Sequence, residues 1–115
     1  MKLFTSAGAC SLADHIALHW AGAPFEVQVV SRAEKKQPEF LALNPSGAVP
    51  VLTEGDWVLT QNAAILNYIA DKFPDAALGG DGSPEQRADV FCCLAFLNAD
   101  VHAGFHPLFG TEAYL

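Results

Sequence analysis

Apolar positions run in short, strand-length stretches through the first part of the chain and at helical spacings after them. Leu3-Phe4-Thr5 predicts a short strand and Ser6-Ala7-Gly8-Ala9 a turn of small residues. A helix is expected from Cys10 or Ser11, with Leu12, Ile16 and Trp20 as its buried stripe, stopped by Gly22 and Pro24. Residues 25–30 alternate well enough for a second strand, and strand, helix and strand at this spacing make a βαβ unit with parallel strands. Pro38-Glu39-Phe40-Leu41-Ala42-Leu43 predicts a short helix with proline in its first turn.

Residues 44–52 are the stretch around which the rest of the chain is organised. Asn44-Pro45-Ser46-Gly47 is turn chemistry, and residues 49–52 form an apolar run of strand length. Pro50 has no N–H to give to a ladder, so it belongs at a sheet edge or at a tight bend beside a site. Trp57-Val58-Leu59-Thr60 is the partner strand of an antiparallel hairpin across Glu54-Gly55-Asp56. The helix expected from Asn62 to about Lys72 buries Ile65, Leu66, Ile69 and Phe73 before Pro74 ends it. Trp20 and Trp57 are expected in the core. The order βαβαββα over residues 1–74 is the thioredoxin-like α/β arrangement. A proline-marked edge beside a helix N-terminus suits a peptide carrying a carboxylate. Val49 offers backbone groups as a strand partner, and the helix start offers free N–H groups and a positive dipole end.

Residues 75–82, with Gly79-Gly80-Asp81-Gly82, read as a linker. Ser83-Pro84-Glu85-Gln86 is a full helix start, with an N-cap, a proline at the first position and a capping-box Gln. From there to about Ala103, Phe91, Leu94, Leu97 and Val101, with Ala95 and Phe96, make the helix apolar on more than one side, so it expects neighbours. Phe105, Leu108 and Phe109 add uncovered apolar surface before the chain ends at Tyr114-Leu115. Residues 83–115 therefore read as the start of a second, truncated all-helical domain, and self-association through Phe91, Leu94 and Leu97 is expected.

Composition narrows the function classes. A 115-residue chain that is 51% hydrophobic sustains one compact domain with an appendage. Thirteen acids against six bases give a net charge of −7, which argues against nucleic acid as a partner. Arg32, Lys35 and Lys36 cluster in one short stretch, which is either a solvated loop or a local anion clamp. Three cysteines, two of them adjacent at Cys92-Cys93, make no disulfide framework and point to a reducing cytoplasm. No apolar run approaches transmembrane length, so no membrane partner is expected. Residues 3–10 resemble a lipoprotein cleavage box, but too few apolar residues precede Cys10 for the roughly 7–15-residue apolar region of a signal peptide.

Cys10 carries two readings: a thiol whose pKa falls at a helix N-terminus, or a small buried residue at a strand-to-helix turn. Cys10-Ser11-Leu12-Ala13 has a cysteine at one end only of the Cys-x-x-Cys pattern, which excludes dithiol cycling and leaves monothiol chemistry. Phe4, Thr5 and Ser6 leave no tyrosine at the first strand's end, and Ser11 remains a hydroxyl donor to a thiolate. His15 with His19, and His102 with His106, stand four apart, but no acid-rich motif accompanies them and no metal is expected. Cys92-Cys93 reads as core or domain-interface packing.

Four motifs in order resemble the bacterial glutathione S-transferases, most closely the cysteine-containing beta class. They are Ser6-Ala7-Gly8-Ala9-Cys10-Ser11-Leu12-Ala13, Asn44-Pro45-Ser46-Gly47-Ala48-Val49-Pro50-Val51-Leu52, Leu59-Thr60-Gln61-Asn62-Ala63-Ala64-Ile65-Leu66, and Asp100-Val101-His102 with Pro107-Leu108-Phe109. The resemblance implies a cytoplasmic, homodimeric transferase with glutathione as co-substrate. It implies thiolate attack on a small electrophile, or thiol–disulfide exchange through Cys10. Val49, before a cis Pro50, would pair with the cysteinyl part of glutathione, and Gln61 and Asn62 would hold its γ-glutamyl end. Lys35 would approach the glycine carboxylate, Cys10 and His102 would face the sulfur, and Asp100 would reach glutathione bound in a partner subunit. Gln61 stands where Glu is common in the family, Asn62 where Ser or Gly is usual, Ala7 where Pro is common and Ala103 where a Lys often follows the histidine. Glutathione's thiol has a pKa near 8.5 like cysteine's, and lowering it by two units requires about 2.7 kcal/mol in favour of the anion. The competing reading is a non-enzymatic glutathione- or partner-binding fragment that lacks the electrophile pocket.

Overall fold

In a computed structural model, which describes residues 1–109, side chains of strand β1 (Lys2–Thr5) alternate between two apolar clusters. Leu3 joins Leu52, Ile65, Ile69, Leu18 and Ala17, whereas Phe4 joins Val51, Phe40 and Val30. This is the period-2 geometry of a strand buried on both faces. The two clusters are the two sides of one four-stranded sheet. Its order is β2 (Glu26–Val29), β1, β3 (Val51–Glu54), β4 (Trp57–Thr60). β1 and β2 run parallel with Leu3 opposite Val27, while β1–β3 and β3–β4 are antiparallel with Leu3 opposite Leu52 and Leu52 opposite Leu59. Helices α1 (Ser11–Trp20) and α3 (Asn62–Lys72) bury side chains in the Leu3 cluster. Helix α2 (Pro38–Leu43) supplies Phe40 to the other, its ring meeting Phe4 edge-on at 6.1 Å. The chain divides into two compact units, the first ending at Leu78.

The register of α1 differs from the sequence expectation. Leu12, Ile16 and Trp20 do not form a buried stripe: they are 57%, 40% and 72% exposed. The inner face is Ser11, Asp14, Ala17 and Leu18 instead. Both sets satisfy helical spacing. The inner one wins because its small and polar residues find polar partners on β1 and α3. Trp57 also leaves the expected core and is 46% exposed, its ring lying 4.8 Å from that of Tyr68. Around that pair Glu54 accepts from both Tyr68 and Lys72, fastening the hairpin to the last turns of α3.

The second unit begins at Gly79. Helix α4 (Pro84–Phe96) starts at Ser83, whose hydroxyl accepts from the Gln86 N–H at 3.3 Å. Gln86 returns its side-chain oxygen to the Asp81 N–H at 2.8 Å, two residues earlier than a capping box requires, and Asp81 caps the Ser83 N–H at 2.8 Å. After α4 the backbone widens into one π-helical turn at Leu97–Val101, followed by short helical turns at His102–Gly104 and His106–Phe109. The expectation that no apolar run approaches membrane-spanning length needs correction. Pro84–Leu108 is a 25-residue helical run long and apolar enough to cross a membrane by length and composition. Cys92, Cys93, Phe91 and Leu97 are exposed and Leu94 is partly buried. The Phe109 side chain and Tyr114-Leu115 lie outside the described residues.

Candidate functional site

The turn before β3 is built on Asn44. Its buried amide donates to the Ala48 carbonyl at 2.8 Å and accepts from the Ser46 N–H and hydroxyl at 3.2 and 2.8 Å. Gly47 closes the turn with φ +63°, and a Cβ there would stand 3.1 Å from the Lys35 carbonyl oxygen. Glycine is thus required both by the left-handed backbone and by the close approach of the Lys35 segment. The Val49–Pro50 peptide bond is cis. Pro50 lies at a bend entering the central strand β3 and not at a sheet edge, the other place its sequence allowed. The β1–β3 pairing ends at Phe4 opposite Val51, so the backbone groups of Val49 lie beyond the ladder. This is the geometry an extended peptide needs in order to add itself alongside Val49.

Cys10 occupies the N-cap position of α1, and its thiol donates to the Val49 carbonyl oxygen across 3.9 Å. The expectation of a lowered thiol pKa is overturned. Partial burial pushes the Cys10 thiol up and the Asp14 carboxylate adds to that. The backbone N–H groups of Cys10 and Ser11 and the charge of Lys35 pull the other way and are outweighed. A helix start favours a thiolate and desolvation opposes it, and desolvation dominates here. Lys35 still belongs to this neighbourhood, since its charge is felt at the thiol. Ser11 does not face a ligand. It is fully buried, its oxygen 2.7 Å from the Thr5 hydroxyl and 3.4 Å from the Ser6 N–H, an internal tie between α1 and β1.

At the other side of the turn region, α3 starts from Gln61, whose backbone has φ 77° and ψ 119°. A non-glycine residue in that region is uncommon, costs of order 1–3 kcal/mol and marks functional sites. Asn62 follows and meets Asp14 of α1. With its nitrogen turned to the carboxylate, the Asn62 amide donates to Oδ2 at 2.8 Å and to Oδ1 at 3.1 Å. Asp14 is fully buried, and burial pushes its carboxyl up to about 8 despite a bond from its own N–H. Sequence reasoning missed Asp14. Its signal was an acid on the helix face opposite the Leu12–Ile16–Trp20 stripe, facing a helix that opens with Asn.

Cys10, Lys35, Val49, Pro50, Gln61 and Asn62 all belong to the first unit. Asp100 and His102 belong to the second, where both are exposed; Asp100 lies in the π-helical turn and His102 directly follows it. Such turns recur at functional positions. The His102 and His106 rings meet edge-to-face at 5.5 Å. Among the described residues no group of three or more His, Cys, Asp or Glu is placed to hold a metal ion.

Residues 1–71 match the family model for the glutathione S-transferase N-terminal domain. The chain is similar to glutathione S-transferase GST-4.5 of Xanthomonas campestris pv. campestris, with 59% identity over 115 residues, all of this chain and 56% of the relative. A solved glutathione S-transferase from Xylella fastidiosa superposes with TM-score 0.94 at 56% identity, over 98% of this chain and 55% of that one. A sphingomonad glutathione S-transferase, solved in complex with glutathione, superposes with TM-score 0.87 at 46% identity, over 97% of this chain and 58% of that one. The chain therefore spans little more than half the length of the relatives it matches.

Proposed function

The chain belongs to the glutathione S-transferase family through its N-terminal domain, and from that premise we propose that it forms the glutathione-binding part of a glutathione transferase. The observation that carries this reading is the Cys10 thiol set beside Val49, before a cis Pro50 and beyond the end of the β-ladder. The tripeptide lies as an extra strand along Val49, its γ-glutamyl end at the start of α3 near Gln61 and Asn62 and its glycine carboxylate toward Lys35. The α3 N-terminus stabilises the γ-glutamyl carboxylate through free N–H groups and the positive dipole end. The glutathione sulfur then attacks a small electrophile. Alternatively, Cys10 as thiolate takes glutathione from a mixed disulfide, releasing the other thiol, and the thiolate of a second glutathione attacks the Cys10–glutathione disulfide, which yields glutathione disulfide and restores the Cys10 thiolate. His102 near the sulfur and Asp100 toward glutathione of a partner subunit complete the proposal, in a cytoplasmic homodimer.

One observation weighs against the exchange route and leaves conjugation or a second reading, glutathione binding without turnover. The Cys10 thiol is pushed up rather than down, which keeps it mostly protonated at neutral pH. The test is calorimetric titration of reduced glutathione into the chain and into Val49→Pro, which removes the Val49 N–H. Saturable binding lost in the variant supports the site, whereas unchanged binding rejects it. Turnover of a generic electrophile then separates transferase from binding module.

A further inference from the structure

Among the described residues Asp14 is the only fully buried ionisable side chain, and the binding of the tripeptide along Val49 gives it no task. Resting on the glutathione reading, we propose that Asp14 is a positioning residue for the tripeptide: its protonation state sets which end of the Asn62 amide is presented at the N-terminus of α3.

The Asn62 amide has two ends of opposite character. A half-turn of the side chain exchanges oxygen and nitrogen without moving any other atom, so the end facing Asp14 is decided by what Asp14 offers. Ionised Asp14 only accepts, so it takes the Asn62 nitrogen at 2.8 and 3.1 Å. The amide oxygen is then left as the outward end, and a partial negative charge there opposes an incoming carboxylate. Protonated Asp14 donates its O–H to the Asn62 oxygen across the same separation. The amide nitrogen is then outward and adds its N–H donors to the free N–H groups of the helix start, all directed at an anion. Asn62 is only partly buried, which leaves its second end within reach of a ligand. Burial favours the protonated carboxyl of Asp14 and pushes it up to about 8, so its change of state falls within the pH range of the test.

The titratable and charged groups around this pair lie on α1, β1 and α3 and in the Lys35 segment. On α1 the titratable neighbours are Cys10, whose thiol feels the Asp14 charge, and His15 and His19, whose rings stack on one another and meet the Phe25 ring edge-on. On β1, Lys2 stands over the Phe4 ring at 5.1 Å. On α3, Tyr68 and Lys72 are engaged with Glu54, and Asp71 lies more than two turns along the helix from Asn62. Lys35 is felt at Cys10.

The test titrates S-methylglutathione, which has no ionisable thiol, into the full chain and its Asp14→Asn variant from about pH 6.5 to about pH 9. The side-chain amide at position 14 of that variant can donate to the Asn62 oxygen at every pH, as protonated Asp14 does. Dividing one profile by the other removes the ligand's own amine titration. The expected result is an affinity that falls about tenfold more for the native chain than for the variant across the range. Asn62→Ala should abolish that difference. The nitrogen-15 signal of the Asn62 amide should also titrate with the Asp14 carboxyl in the ligand-free native chain, a readout that stands even if Asp14→Asn fails to fold. Parallel binding profiles, or a carboxyl that titrates without moving that amide, would overturn the role of Asp14 while leaving the glutathione site intact. No binding by the native chain at any pH would overturn the glutathione reading and this role with it.

Discussion

The Cys10 thiol and the Val49 carbonyl oxygen, 39 residues apart in the chain, stand 3.9 Å from one another where α1 begins beside the bend into β3. Burial and Asp14 raise the thiol's pKa and Lys35 lowers it. Alkylation of Cys10 by iodoacetamide, followed by mass spectrometry in a Cys92→Ser, Cys93→Ser background, should therefore show a midpoint above that of free cysteine. Lys35→Ala should move it higher. Asp14→Asn should move it lower, with most of the gain in rate above about pH 8, where Asp14 carries its charge. A midpoint below the ordinary thiol value would contradict the burial argument.

Asp14 also ties stability to pH, and the sign is unusual for a carboxylate. The unfolded chain gives up this proton near the ordinary value of 3.8, whereas the fold keeps it to about 8. Between those limits the native state binds more protons than the unfolded state, so stability falls as pH rises, by at most about 1.4 kcal/mol per unit. The contribution is fully present below about pH 4 and is lost by about pH 8. Urea unfolding at a series of pH values should show Asp14→Asn gaining on the native chain as pH increases. A constant difference between the two would mean that Asp14 is ionised in the fold at neutral pH.

Gln61 sits at φ 77° at the head of α3, a conformation glycine adopts freely. Gln61→Gly should relieve that strain and raise stability by about 1 kcal/mol, while glutathione binding weakens through loss of the side chain. Paired urea unfolding and glutathione titration test both halves. A destabilised variant would show that the backbone is not strained at this position.

How much of this is legible in the sequence depends on whether each feature is local or tertiary. The order of elements along the chain and the hairpin can be read because apolar runs and turn residues are local signals, and the helix over residues 62–72 because Ile65 and Ile69 recur at one turn's spacing. Val49 and Pro50 stand out because a proline in an apolar run has few places to go. The inner face of α1 cannot be read, since Ser11 and Asp14 become good core residues only when Thr5 and Asn62 supply their partners. The Cys10 thiol escapes for the same reason. A helix start is visible in sequence, but the desolvation that outweighs it comes from the folded surroundings. Gln61's backbone conformation has no sequence signal, because glutamine is not a residue that announces positive φ.

The two candidate inner faces of α1 make its register directly testable. Ile69 is fully buried, in a cluster with Leu3, Leu18 and Leu52, so Ile69→Ala should cost about 2–5 kcal/mol through lost burial and the cavity left behind. Trp20 is the larger side chain and the natural choice for a core anchor, yet it is 72% exposed. Trp20→Ala in this chain should therefore change stability by no more than about 0.5 kcal/mol. Urea unfolding of the two variants compares them under one set of conditions. If Trp20→Ala proved as costly as Ile69→Ala, the Leu12–Ile16–Trp20 stripe would have to be covered in solution. The cover would then be another copy of the chain, and the cost would grow with protein concentration.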